Sequence, residues 1–385
     1  MNAPDIATLT DFRHELHRHP EVSGEEVETA RRVAGFIETA GPDLLLTGLG
    51  GHGVAAIFAG AEPGPTLLIR SELDALPIEE LSHAVYRSTI PGKGHLCGHD
   101  GHSSILAGLA LELGRMRPAR GRIVLLFQPA EEDGSGAAAV IADPRFDQIR
   151  PELALALHNM PGLPFGVAAL DEGPFACASA GLRITLAGRT AHASMPETGL
   201  SPLQAVSRLL PALTALGSGA PLGPGFSLAT VTHARMGEPT FGVAPGSAEI
   251  RVTLRAITNE DMASLMARAE ALATNIANEE GLGVSFSHHD AFDACFNAPE
   301  ATALLRRALT DAGVPIVTTG LPMRASEDFG RFSRICPTAM FLLGAGVDRP
   351  ALHNPDYDFV DALIPIGIDV FLRAIRTTLG GSATK

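Results

Sequence analysis

The chain holds no stretch of about 18 uninterrupted apolar residues, which excludes a helix that crosses a bilayer. Its opening residues, Met1 to Thr10, include an acid and no apolar run, so neither a secretory signal nor a membrane anchor is expected there. Basic side chains are in deficit: 29 Lys and Arg against 43 Asp and Glu give a net charge of −14, with a pI near 5.4. Nucleic acid and an anionic membrane surface would both repel such a protein, so neither is expected as its main partner. Cysteine is scarce as well. Cys97, Cys177, Cys295 and Cys336 are scattered without a framework spacing, which fits free thiols in a reducing compartment and a cytoplasmic location. Internal repeats and low-complexity segments are absent.

What the chain has instead is length and apolar content. Its 385 residues, 45% of them hydrophobic, exceed what one core usually organises, so two domains are expected. The stretch from His95 to His102 reads HLCGHDGH and runs straight into the helix-like Ser103–Ala110. A thiol two residues before an imidazole, with a carboxylate beside it and glycines around it, places ligands for a divalent transition metal on one tight turn. One turn supplies only part of a coordination sphere. Glu131-Glu132, His158 and His353 are the places able to supply the rest.

Around that stretch the chain reads as α/β. Apolar spacing predicts helices over Asp11 to Arg18, which the His19-Pro20 pair closes, and over Glu25 to about Ala40, which Gly41-Pro42 stops. His14, His17 and His19 miss the zincin spacing, because position 18 is Arg, and read as structural or solvent-facing. Gly48 to Gly53 formally contains the dinucleotide fingerprint, but a strand-like Val54–Phe58 follows where a helix is required, so the glycines read as a turn. Strands are expected over Thr66–Arg70, Arg122–Phe127 and Leu153–Leu157. Each ends in chemistry: Glu72 and Asp74, Glu131 and Glu132, and His158-Asn159. In open α/β sheets such strand ends are where ligands bind.

From about Ala178 the texture changes to an α+β insert of roughly 115 residues, within the usual domain range. It contains a strand Leu182–Leu186, a loop Gly188–Ser194, a helix Pro202–Leu216, strands Ser227–Met236 and Glu249–Ala256, and a helix Asn259–Ala277. A helix Pro299–Ala312, another opened by Ser326-Glu327-Asp328-Phe329 and a strand Thr338–Leu343 then return to the first style. The expected layout is a catalytic domain of residues 1–177 and 294–385, interrupted by a lid of residues 178–293.

Cys97, His99, Glu132, His158 and His353 are too many ligands for one tetrahedral site and suit two metals about 3.5–4 Å apart. Neighbouring side chains diverge in an extended or loop backbone, so Glu132 can bind metal while Glu131 points at a water as general base and then protonates a leaving nitrogen. Metal-assisted amide hydrolysis is where these residues lead.

The ordered motifs HRHPE (His17 to Glu21), RSELDALP, CGHDGH, FQPAEE, LHN, GRTAHAS, SEDF and LHNPDYDF span almost the whole chain. In that order they resemble the M20 metallopeptidase and aminoacylase family, in its amidohydrolase branch of hippurate, N-acyl-amino-acid and auxin-conjugate hydrolases. The resemblance implies a zinc-peptidase-like domain with a mixed sheet flanked by helices, and a smaller lid that pairs into a homodimer. It implies two divalent transition metal ions (Zn, Mn, Co or Ni) on the five ligands, with Cys97 bridging. Glu131 is then the base, Asp74 orients a ligand from behind, and lid His192 helps to bind the oxyanion, in relatives often across the dimer. The expected substrate is a small N-acyl amino acid.

Two departures from the family pattern bear on that substrate: Gly242 replaces the usual lid asparagine, and Met323-Arg324-Ala325 replaces a small residue before SEDF. Arg324 or Arg255 could then clamp the substrate carboxylate. The competing readings are a dipeptidase or small-peptide carboxypeptidase on the same scaffold, a thiol hydrolase using Cys97 with His99, and a non-catalytic binding protein.

Overall fold

The computed structural model describes residues 2–381, so residue 1 and residues 382–385 of the expected domain bounds lie outside it. The chain divides into two compact units, one of residues 1–175, 296–321 and 328–385, the other of residues 176–295 and 322–327.

The first unit is built on an eight-stranded mixed sheet. Its order is Leu44–Leu49, Gly53–Ala59, Arg120–Gln128, Glu62–Glu72, Leu153–Pro161, Thr338–Gly346, Ala168–Ala169 and Ile316–Val317. The four central strands run parallel and are buried over most of their length, as expected of strands covered on both faces, while Glu62–Glu72 and Arg120–Gln128 begin exposed. Their common direction brings the C-terminal ends of the strands that precede Asp74, Glu131 and His158 to one edge. The Gly48–Gly53 stretch is the turn between the antiparallel strands Leu44–Leu49 and Gly53–Ala59. Helices Ala3–Arg18, Val27–Glu38, His99–Arg115, Pro299–Asp311 and Ile364–Leu379 contribute Leu9, Val33, Leu109, Leu305 and Phe371 to one continuous core with the sheet.

Three expectations are corrected here. The first helix begins at Ala3, not Asp11, because Asn2 caps it: its side chain accepts from the Asp5 amide at 2.9 Å while Asp5 reaches back to the Asn2 amide. The HLCGHDGH stretch is not all turn. It turns only as far as Gly98, and His99 already begins the helix His99–Arg115. The segment after Ser326 is a short 3₁₀ run, Asp328–Arg334, rather than a helix opening, and Pro337 closes off any extension.

The second unit has a four-stranded antiparallel sheet in the order Ser227–Met236, Ser247–Ala256, Ala178–Ala187, Gly283–Phe292. Alternate residues such as Leu182, Ile184, Ile250 and Leu254 face a core shared with helices Leu203–Thr214 and Asn259–Glu279. The expected loop Gly188–Ser194 contains a two-residue strand, Ala191–His192, paired with Val243–Ala244. No helix among the described residues is long and apolar enough to cross a membrane.

Candidate metal centre

Backbone geometry explains how sequence-distant donors meet. Asp74 lies two residues past one central strand, Glu131 and Glu132 follow another, and His158 sits near the end of a third. Gly98, at φ +93, lets the chain turn between Cys97 and the helix; a Cβ there would fall 2.1 Å from Asn159 Oδ1 and 2.9 Å from Tyr357 Oη, so only glycine fits. His353 occupies the left-handed region at φ +66, uncommon for a residue with a side chain and a mark of a functionally constrained loop.

The distances fit donors arranged around an ion, although Cys97 and His158 are also within hydrogen-bond reach of each other. Cys97 Sγ lies 3.4 Å from His158 Nε2, His353 Nε2 lies 3.5 Å from Glu132 Oε1, and His99 Nε2 lies 3.9 Å from the same oxygen. Donors at bond lengths of about 2.0–2.3 Å from a tetrahedral ion are themselves roughly 3.3–3.8 Å apart. Cys97, His99 and His158 form one group, and Cys97, Glu132 and His353 another, so the thiol is common to both. His99 Nε2 and Glu132 Oε1 are buried without a hydrogen-bond partner, a costly arrangement unless a cation lies between such atoms. The other ring nitrogens are already used: His99 Nδ1 faces the Asp74 carbonyl at 2.9 Å and His158 Nδ1 the Asn159 carbonyl at 2.6 Å. Each donates there; His158 so leaves its Nε2 lone pair for metal, and His99 does the same once its second proton is displaced. The donor set fits divalent transition metal ions.

Electrostatics agree. Burial, followed by the charges of Glu132 and Glu131, pushes the Cys97 thiol well above its ordinary range. Without a cation beside it a thiolate is therefore disfavoured, which weakens the thiol-nucleophile reading. Burial disfavours an imidazolium at His99, but Asp74, Glu72 and Glu132 outweigh it and raise this group to about 10. His158 is lowered to about 3, by burial first and then by His102, so it stays neutral with its lone pair available. Asp74 is held below its usual range despite burial, by His99 and by the Glu132 amide, which donates to Asp74 Oδ2 at 2.9 Å.

Behind the donors runs a buried polar chain that the sequence reading missed. His102 joins Glu72 Oε2 at 2.7 Å to Asn159 Oδ1 at 2.8 Å, and Asn159 Nδ2 donates to Tyr357 Oη. Glu72 is paired with Arg70, which also reaches Asp328. Asp328 in turn accepts from Gln128 Nε2 at 2.7 Å and from the Ala137 amide at 2.8 Å. The chain ties together the segments carrying Cys97 and His99, His158, and His353. Its signal lay inside the motifs already noted, as the second histidine of CGHDGH, the asparagine of LHN and the tyrosine of LHNPDYDF.

The remaining candidates lie in the second unit. Arg255 donates to the Arg324 carbonyl at 3.1 Å and to Ser326 Oγ at 2.7 Å, so the two arginines stand together. The Arg324 guanidinium lies 5.7 Å from the Phe226 ring centroid. Neither arginine pairs with a carboxylate among the described residues. His192 is exposed, with Nδ1 2.7 Å from Ser194 Oγ, and the Ala193 amide donates to the Gly242 carbonyl at 3.1 Å.

The family model described as peptidase family M20/M25/M40 matches residues 68–377. N-acetyl-L-cysteine deacetylase of Bacillus subtilis is 32% identical over 357 residues, covering 92% of this chain and 84% of that protein. An IAA-amino acid hydrolase of Arabidopsis thaliana is 28% identical over 393 residues, covering 98% of this chain and 88% of that protein. A solved dinuclear metal-binding peptidase of the M20 family, from Bacillus subtilis, shares the fold with a TM-score of 0.82 at 24% identity, covering 98% of this chain and 99% of that one.

Proposed function

The chain belongs to peptidase family M20/M25/M40 and is a metal-dependent amide-bond hydrolase, and on that premise we propose that it releases the acyl group from N-acyl amino acids. The observation that carries this reading is the pair of donor groups sharing Cys97, with Glu131 set against His99 and Glu132 as an additional carboxylate. Cys97, His99, Glu132, His158 and His353 would hold two divalent cations, whose chemistry is to polarise the scissile carbonyl and acidify a water. Asp74 orients His99 and fixes the backbone at Glu132. Glu131 takes the proton as the water oxygen attacks the acyl carbon, then passes it to the nitrogen as the C–N bond breaks. The products are a carboxylic acid and a free amino acid. The names of the deacetylase and of the IAA-amino acid hydrolase support this substrate class.

A free substrate carboxylate calls for a fixed cation, and Arg255 and Arg324, adjacent and without carboxylate partners among the described residues, are suited to supply it. We assign the oxyanion to His192. Arg255 pairs with Ser179 and Ser247 with Ala187, so at ~3.3 Å per residue roughly 25 Å of ladder separates the arginine end from the end that leads to His192. That is farther than a small N-acyl amino acid reaches, which supports a homodimer in which His192 serves the partner's substrate.

The test is a matched set of N-acyl amino acids and their amides, with dipeptides alongside. Arg324→Ala and Arg255→Ala should raise KM for the acids by about one to three orders of magnitude and barely affect the amides. Equal effects on both would remove the clamp, and a preference for dipeptides in the unmutated enzyme would favour the dipeptidase reading.

A further inference from the structure

The segment between the first two helices, which the chemistry above leaves unused, reaches the turn that carries Glu131 and Glu132. Glu26 is fully buried, and its Oε1 accepts from the Ala130 amide at 2.8 Å. Ala130 stands at φ +51, a left-handed conformation that an L-residue adopts only against a steric cost. Past it the turn is closed locally, with the Gly136 amide donating to the Ala130 carbonyl at 2.9 Å and the Gly134 amide to the Glu131 carbonyl at 2.8 Å. Two amides of this turn, at 130 and 132, are therefore held by buried carboxylates, the first by Glu26 and the second by Asp74. Ser23, from the same segment as Glu26, donates to Asp74 Oδ2 at 2.8 Å and braces the second hold.

We propose that Glu26 is a positioning residue: by holding the Ala130 amide it keeps that residue left-handed and so sets the direction in which Glu131 leaves the chain. Because Asp74 separately fixes the backbone at Glu132, loss of the Glu26 contact falls on the base rather than on the metal ligand. Only an acceptor oxygen is required, so glutamine replaces it. The proposal rests on the reading of Glu131 as base.

The experiment compares Glu26→Gln, Glu26→Ala, Ala130→Gly and the double variant Glu26→Ala/Ala130→Gly, with Glu131→Gln as control. For each, kcat, KM, metal stoichiometry by atomic emission and amide exchange at Ala130 are measured. Glu26→Gln should stay within about threefold of the parent in kcat, and Glu26→Ala should fall about tenfold or more with KM and metal content unchanged and the Ala130 amide deprotected. Glycine adopts the left-handed region without steric cost, so Ala130→Gly should restore most of the kcat lost in Glu26→Ala. The proposal is overturned if Glu26→Ala keeps parental kcat, or if Glu26→Gln is as impaired as Glu26→Ala and the glycine restores nothing. Full activity in Glu131→Gln would instead overturn the reading of the base.

Discussion

At the scale of residues the mechanism turns on two adjacent glutamates with different duties. Glu131→Gln should retain metal and substrate affinity yet lose several orders of magnitude in kcat, because the amide is nearly isosteric but takes no proton from water. Glu132→Gln should weaken metal binding, and metal analysis of both variants separates the two roles. Loss of metal in both would show that the pair is divided wrongly. Protonation adds a second handle. His99 is raised to about 10 and the Cys97 thiol lies above its ordinary range, so metal entry must displace protons from both. Apparent metal affinity should therefore rise with pH, by up to about tenfold per pH unit for each proton released. Titrations between pH 6 and 8 that show no slope would contradict that protonation state. The donors were legible in the sequence because each stands in a short motif, most of them close to a strand or helix end and His353 in the loop after Thr338–Gly346. Glu26 was not, since an isolated Glu carries no local sign that the fold will aim it at Ala130; Tyr357 stands inside LHNPDYDF, but nothing local says that it will meet Asn159.

At the scale of elements the N-terminal helix acts as a clamp. Arg13 and His17, one turn apart, both reach Asp100, at 3.0 and 2.8 Å; Arg13 also holds Asp358 at 2.9 Å, and His17 holds Glu80 at 3.2 Å. The helix thereby ties the start of His99–Arg115 to the loop that follows His353. Burial opposes a charged His17, yet Asp100 and Glu80 raise it to about 9. A raised histidine contributes stability that is fully present below its unfolded value, about 6.5, and is lost as pH rises through the folded value. Metal-free His17→Gln should thus be less stable than the parent near pH 6, by on the order of a few kcal/mol, and the gap should close toward pH 10. A gap independent of pH in denaturation curves would show that the charge is not what matters. The three histidines read as structural or solvent-facing; His17 proves structural, and its burial depended on partners 63 to 83 residues away.

The short ribbon Ala191–His192 with Val243–Ala244 poses the second question at this scale. Mixing inactive Glu131→Gln chains with inactive His192→Ala chains should restore partial activity if His192 serves a partner's site. No recovery, despite proven subunit exchange, would return His192 to its own chain or remove it from catalysis. Elements escaped the sequence reading where pattern was ambiguous. Ile364, Ile366, Ile368 and Val370 recur at a spacing of two as well as along a helix face, so periodicity did not reveal the helix Ile364–Leu379. The edge strand Gly283–Phe292 is largely polar and exposed, and has little apolar alternation to read.

At the scale of the whole molecule, the parallel core strands bring to one edge side chains that are as much as 84 positions apart, from Asp74 to His158. That convergence was legible because three apolar runs each ended in a metal-competent side chain. The pairing order of the strands was not, since it depends on contacts between segments that no local pattern encodes. The direct measurement is reconstitution: metal-free protein is titrated with Zn²⁺, Mn²⁺, Co²⁺ or Ni²⁺ while hydrolysis of an N-acyl amino acid and bound metal are followed together. Activity should be negligible without metal, and the rate should climb until two ions are bound per chain. Full hydrolytic activity in protein shown to contain no metal would contradict the mechanism.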